Sequence, residues 1–509
     1  MQESEAQHLI RTTQHALDDL NEFSAHHLRL RLTQSLLPIN ASTAKLGTSS
    51  GGLSLSTEPE SEEDVALTLR LRLRETAPMP TAEFQPYSPT LDVFYSQNQI
   101  PSTSSTSSPL ARFIANKLQE MFAEEQATIA YILATSNPAV NSLQSSLPAG
   151  QAPLSSQSAP PSMREPRSTL IRSVPADLAA NLARRTTRSL KYAPTYHLTF
   201  SLFTPNTSPS SWDIDSAIEE YLSPLLQSFS SISNFTVDTQ VQLYASFSPS
   251  VQEPHYDPER GAWTLRNEDL SGFINAAEWP LSPSIGTGPT VNFVLFVPSA
   301  DTSPLVVKDN GANSWLVPQW GGVMILNPSV PDFDVTPLPL TLTKEAIRPV
   351  LTTFSHQLLS LLGTPQSPSS LPLRLLTLTR VRAASLLLSA SSTLGSLARL
   401  TLALPSISIP ESVAASVDKT ISHLHNTCTD LRDGRFHSAL ENARIAEAEA
   451  ERGFFEKSMV GQVYFPDEHK VAVYLPLLGP VGVPLIMGAL KEMKRLWTTW
   501  KKRRTKASK

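Results

Sequence analysis

Twenty consecutive positions near the end of the chain, Val471 to Leu490, carry no charged side chain. As a helix rising about 1.5 Å per residue they extend roughly 30 Å, the thickness of a bilayer's hydrocarbon core. The pattern predicts a transmembrane helix at 471–490. Tyr464-Phe465-Pro466-Asp467-Glu468-His469-Lys470 stands ahead of it. Behind it come Lys491, Lys494, Arg495, Lys501, Lys502, Arg503, Arg504, Lys506 and Lys509, opposed by Glu492 alone. Lys and Arg just beyond a span mark its cytoplasmic side. The 470 residues before the span are therefore expected on the other side of the membrane, with 491–509 as a basic cytoplasmic tail.

Upstream, the period of the pattern changes several times. Leu9, Ile10, Leu17, Leu20 and Phe23 recur at loose three-and-four spacing and predict a helix over 5–35. Val65 to Arg74 alternates apolar and polar, the period of a half-buried strand, and Leu91 to Tyr95 predicts another. Ala111 to Leu133 has the pattern of an amphipathic helix. Residues 136–175 are dominated by Ser, Pro, Gln and Ala, bury too little apolar surface to fold, and are expected to be a disordered insertion. It sets off an N-terminal α/β portion, 1–135, from a more regular block, 176–370. That block predicts strands at Tyr196–Phe203, Phe235–Phe247, Val291–Val297 and Val323–Leu326. Its predicted helices are Asp213–Ile232 and Thr343–Leu362, the second closed by Gly363. The expected fold class is α/β, a mixed sheet flanked by helices, followed by a helical segment, 371–460, and the membrane helix. Leu375, Leu376, Val381, Leu386, Leu387 and Leu388 make the helical segment a packed bundle, with breaks at 405–410 and Gly434.

Pro476, Pro480 and Pro484 recur every four residues inside the predicted span. Steps of four turn a helix by about 400°, so the three share one face. Each lacks the N–H that would bond the carbonyl four residues back, opening those of Ala472, Pro476 and Pro480. Lipid cannot satisfy them. Either this end is kinked with water reaching in, or the stripe is a packing face toward other helices, with Gly479 and Gly482 allowing close approach.

The formal charge is −5, but the residues after Leu490 contribute +8, leaving −13 on the rest. That excludes nucleic acid as a partner, which would require a basic patch on the folded part. The length allows two to four domains. With one cysteine, Cys428, no intrachain disulfide is possible, and the residue is expected as a small buried or half-buried side chain on a helix. The start, Met1-Gln2-Glu3-Ser4-Glu5, has no apolar signal-peptide core, whereas the basic tail demands translocation of the body. This conflict leads to the expectation of a further hydrophobic span upstream of Met1.

A search for chemistry finds little. Gly47-Thr48-Ser49-Ser50-Gly51 matches G-x-S-x-G but sits in a Ser/Thr-rich stretch, without the strand and helix that hold a nucleophile elbow. His425 and Cys428 are one helical turn apart with no third group implied. His255-Tyr256-Asp257 is expected as a turn between Pro254 and Pro258, and Asp467-Glu468-His469 as charges ending a span. Zinc, P-loop and dinucleotide motifs do not occur, so no catalytic residue, metal or cofactor is expected. Three sequons, at Asn40, Asn206 and Asn234, are glycosylation candidates for a luminal body.

Several longer motifs have a family likeness. Trp212-Asp213-Ile214-Asp215, Ser233 to Gln240, Asn292-Phe293-Val294-Leu295-Phe296-Val297-Pro298, Pro304-Leu305 and Val317-Pro318-Gln319-Trp320-Gly321-Gly322-Val323 resemble the PIG-S subunit of the GPI transamidase complex. Phe454-Phe455 and the run from Tyr464 into Ala472-Val473-Tyr474-Leu475-Pro476-Leu477 extend the likeness to about residues 195–495. The resemblance implies a non-catalytic subunit in the endoplasmic-reticulum membrane whose luminal body helps assemble the complex. That complex cleaves a C-terminal signal from a precursor and joins the new carboxyl end to a GPI lipid. Its peptide bond is attacked by a cysteine-protease-like partner subunit, which agrees with the empty search above. The family also carries a span near its N-terminus that this chain does not show, and residues 1–190 match weakly. A membrane-anchored luminal hydrolase with an unrecognised site is the alternative. Absent paired cysteines and repeats disfavour an adhesion protein.

Overall fold

A computed structural model describes residues 3–20, 28–30, 66–74, 79–86, 88–101, 105, 108–135, 176–245, 247, 251–270, 288–328, 340–404, 407–459 and 467–506. They fall into two compact units: Met1–Ser385 with Thr427–Glu441, and Leu386–Asn426 with Asn442–Lys509. The segments on either side of 136–175 belong to one unit, and the helical segment is shared between two.

The first unit opens with α1 (Glu3–Leu20) and a small sheet of β1 (Thr68–Leu73), β2 (Thr81–Phe84) and β3 (Thr90–Tyr95); residues 28–30, inside the expected helix, are not helical. The order is β1-β3-β2, with β3 parallel to β1 and antiparallel to β2. Leu91, Val93 and Tyr95 of β3 pack with Leu9 and Leu17 of α1 and with Leu110, Ile114 and Leu118 of α2 (Pro109–Thr135). The alternation at 65–74 predicts a half-buried strand, yet β1 is almost wholly exposed, because it forms the sheet's edge.

After α3 (Ala176–Arg188) comes the central sheet. Its strands are β4 (Thr195–Thr204), β6 (Asn234–Leu243), β9 (Thr290–Phe296), β11 (Ser314–Val317) and β12 (Gly321–Ile325). The order is β11-β12-β9-β4-β6, parallel except for β11. A short parallel pair joins β5 (Ser211–Trp212) to β13 (Thr341–Leu342). The single helix expected over 213–232 is α4 (Ile214–Ala217), a π turn at Ile218–Leu222 and α5 (Ser223–Ser228). Pro224 explains the break: it has no N–H for the carbonyl of Glu220, so the i→i−4 ladder cannot run through.

Each face of the sheet has its own cover. On one face, α6 (Lys344–Leu361) brings Phe354 to 6.0 Å from Phe200 and 5.0 Å from Phe293, ring centre to ring centre. Close approach needs glycine at Gly322, where a Cβ would stand 1.9 Å from Gln357 Oε1, and at Gly321, where it would stand 1.8 Å from the Asn292 carbonyl oxygen. Gln357 Nε2 donates to the Trp315 carbonyl at 3.0 Å. Thr343 caps α6 by accepting from the Ala346 N–H, and Gly363, at φ +69°, ends it as its position predicts.

On the other face Phe203, Val294, Phe296, Val323 and Ile325 pack under Leu265 and Leu305. These two come from a sheet ordered β10-β8-β7, made of β7 (His255–Asp257), β8 (Ala262–Leu265) and β10 (Leu305–Val307). His255-Tyr256-Asp257 is thus a strand and not a turn: it pairs antiparallel with β8.

The first unit is tied together by charge as well. Glu125 on α2 receives Nε and Nη2 of Arg380, at 2.8 and 2.6 Å, from α7 (Leu371–Ala403). The rings of Phe122 and Phe436 lie 5.5 and 5.0 Å from that guanidinium. Phe436 opens α9 (Phe436–Phe454), which follows α8 (Glu411–Asp433) across Gly434 at φ +87°.

The second unit is helical. Ala390, Ala446 and Ala450 let its helices approach closely, and Leu397, Val413 and Met459 form a further cluster with Phe454. Its last element is α10 (Asp467–Lys506).

Candidate interaction surfaces

The predicted span lies wholly inside α10, a single helix that carries Pro476, Pro480 and Pro484 in its interior. All three prolines are exposed, and a Cβ at Gly479 or Gly482 would meet nothing within 4 Å. Tyr474, Leu475, Leu478, Val481, Val483, Leu485, Ile486, Met487 and Leu490 are between 52% and 68% exposed. A helix that is apolar all round belongs inside something, and here its described large apolar side chains are left more than half exposed.

By length and composition α7 could also cross a membrane. Its first third, however, is fastened to the α/β unit. Arg380 pairs with Glu125 and Arg382 Nη2 donates to the Leu362 carbonyl at 2.8 Å. Burial holds the Arg382 guanidinium below its ordinary value, while the Tyr196 and Tyr192 hydroxyls counter that effect.

A second surface is the sheet edge at β6. Neighbouring β4 is buried almost throughout, whereas β6 is exposed over most of its length on both faces. Asn234 opens β6 with an exposed side chain, its own N–H donating to the Pro194 carbonyl at 2.8 Å. Asn206 is exposed in the bend after β4. Both sequons therefore offer their amide to solvent, while Asn40 lies outside the described residues.

The register brings together a third group that the sequence does not reveal. His197, Thr199 and Ser201 of β4 and Asn292 of β9 share one face and are all buried. His197 Nδ1 lies 2.5 Å from Thr236 Oγ1, and Gln240 Nε2 donates to Ser201 Oγ at 2.8 Å. Among the described residues His197 Nε2, Thr199 Oγ1 and Asn292 Oδ1 have no hydrogen-bond partner. The imidazole thus bonds a hydroxyl where a hydrolase relay would offer a carboxylate, and the serine faces an amide.

Cys428 is exposed on α8, contrary to the expectation of a buried or half-buried thiol, because its position on the helix turns outward while Thr427 and Asp430 turn in. His425 is exposed too. The Gly47–Gly51 motif lies outside the described residues. Among the described residues no three His, Cys, Asp or Glu side chains are grouped to hold a metal ion.

A family model described as "PIG-S: Phosphatidylinositol-glycan biosynthesis class S protein" matches residues 1–499. The chain belongs to the PIG-S family. It is 32% identical over 336 residues to the mouse (Mus musculus) "GPI-anchor transamidase component PIGS", covering 62% of this chain and 60% of that one. It is 32% identical over 320 residues to the Schizosaccharomyces pombe "GPI transamidase component PIG-S homolog", covering 61% and 55%. Against the Saccharomyces cerevisiae "GPI transamidase component GPI17" the identity is 28% over 329 residues, covering 60% and 59%. The match thus spans 60% or less of the length of these curated relatives.

Proposed function

We propose that this chain is a non-catalytic membrane subunit of the endoplasmic-reticulum GPI transamidase, needed for attaching GPI anchors to precursor proteins. The observation that carries the reading is the family match over 1–499, together with relatives named as components of that enzyme. The hydroxyl-bonded His197 and the exposed Cys428 support a catalytic cysteine in another subunit and speak against the hydrolase alternative. In this reading α10 crosses the membrane at 471–490, the bulk of the chain is luminal, and 491–509 is cytoplasmic. Depleting the chain is expected to leave precursors with uncleaved C-terminal signals, and a tagged copy to recover the other subunits. Processing of a precursor by the purified chain alone would overturn the reading.

Luminal exposure makes Asn206, Asn234 and Asn40 glycan carriers. Endoglycosidase treatment should speed the chain's migration on gels, with the increment falling for Asn206→Gln and Asn234→Gln. The stripe of Pro476, Pro480 and Pro484, with Gly479 and Gly482, is the packing face of the span toward partner helices. Changing the three prolines to leucine should preserve insertion and expression while weakening co-purification with partners. Unchanged recovery of the complex would remove the span from the assembly surfaces.

A further inference from the structure

Helix α10 does not stop where the uncharged stretch does: it continues to Lys506. In this extension Met493, Leu496, Trp497 and Trp500 are all more than half exposed. Their spacing, i, i+3, i+4 and i+7, confines them to an arc of about 100° at 3.6 residues per turn. Lys491, Lys494, Arg495, Thr498, Lys501 and Lys502 fall on the rest of the circumference.

We propose that residues 491–502 lie along the cytoplasmic leaflet, with the Met493–Leu496–Trp497–Trp500 stripe at the acyl boundary and the cations among acidic phospholipid headgroups. The proposal rests on the reading of 471–490 as a membrane span. A helix leaving the bilayer perpendicularly would carry Trp497 about 10 Å and Trp500 about 15 Å past Leu490. The headgroup layer is only about 5–8 Å thick on each side, so both indoles would stand in water. Leaning the helix onto the surface returns them to the depth that tryptophan favours. Gly488, with nothing within 4 Å of where a Cβ would stand, gives the helix a weak point at the junction.

The occupant is chosen by charge and continuity. Nine cations against one acid after Leu490 complement an anionic leaflet, and the stripe begins within one turn of a segment already in that bilayer. A partner protein covering the same stripe would give no reason for so one-sided a charge.

The test uses the full chain with its sole cysteine removed, Cys428→Ser, and single labelling sites at Leu496→Cys, Trp500→Cys, Arg495→Cys and Thr498→Cys. Val483→Cys reports on the span itself. Each variant carries an environment-sensitive fluorophore and is reconstituted alone into phosphatidylcholine vesicles with and without phosphatidylserine. With phosphatidylserine, labels at 496 and 500 should shift to the blue and be quenched by lipid-borne quenchers. Labels at 495 and 498 should stay water-exposed, and high salt or omission of phosphatidylserine should reduce the shift. Uniform water exposure of all four sites, with the 483 label in hydrocarbon, would overturn the proposal and leave the span standing. A 483 label in water would overturn both. Equal burial without phosphatidylserine would overturn the headgroup selectivity. Protection seen in native membranes but not in either vesicle would assign the stripe to a protein partner and refute a lipid one.

Discussion

Strand β4 and helix α10 are both rich in large apolar side chains, and they meet opposite surroundings. Nine of the ten residues of β4 are buried, between the ring of Phe354 on one side and the small sheet of β7, β8 and β10 on the other. From Tyr474 to Leu490 the described apolar side chains of α10 stand open. The difference is the origin of the cover. For β4 the chain supplies it, so deleting a contact lowers the stability of the fold. For α10 the cover must come from outside, so the same deletion should leave the fold intact.

Five substitutions can break or sharpen that contrast. Phe354→Ala removes the ring resting on Phe200 and Phe293 and is expected to cost about 3–5 kcal/mol, read as a lower denaturation midpoint of the α/β unit. Glu125→Gln leaves the buried Arg380 guanidinium without its carboxylate and should cost about 3 kcal/mol in the same measurement. Combining it with Arg380→Met should recover much of the loss, because no unpaired charge then remains.

Tyr196→Phe should cost about 1 kcal/mol, since the phenol donates to the Lys191 carbonyl and accepts from the Ala193 N–H. It should also change the alkaline limb. Burial pushes the Tyr196 phenol up, partly countered by the Arg382 guanidinium, so the folded chain keeps its proton after the unfolded chain has lost its own. Stability is therefore intact below the ordinary phenol value of about 10 and falls as pH rises beyond it. Thermal melts across that range should show a shallower fall for Tyr196→Phe. Leu485→Ala on α10 should shift the midpoint by less than about 0.5 kcal/mol. A core-sized loss there would mean that α10 packs on its own chain.

What was legible in the sequence follows the range of the forces involved. Long apolar runs announced β4, β9, β12, α2, α6 and α7, because such a run has to be buried whatever lies beside it. Gly363 and Gly434 announced their turns through backbone freedom alone. Strands of three or four residues, such as β2, β7, β8 and β10, carry too short a period to be seen and exist through their pairing partners. His255–Asp257, flanked by prolines, is the clearest case: only Ala262–Asp257 and its neighbouring pairs make it a strand. The prolines of α10 were legible because a spacing of four is a local fact. The buried row of His197, Thr199 and Asn292 was not, since it depends on the register of β4 against β9.

The chain's route between its two units sets an order of events during synthesis. It leaves the first unit at Ser385, builds part of the second, and returns for Thr427–Glu441 before leaving again. Glu125 and Arg380 therefore emerge from the ribosome well before Phe436, whose ring faces the Arg380 guanidinium. Vectorial folding, in which an early domain closes while later ones are still being made, is not open to this chain. Its larger unit stays unfinished until residue 441 is made, shortly before the apolar stretch of α10 follows. A transcript broken between 386 and 426 would release the strands without their closing segment. Completion of the larger unit and delivery of the apolar helix are thus nearly simultaneous.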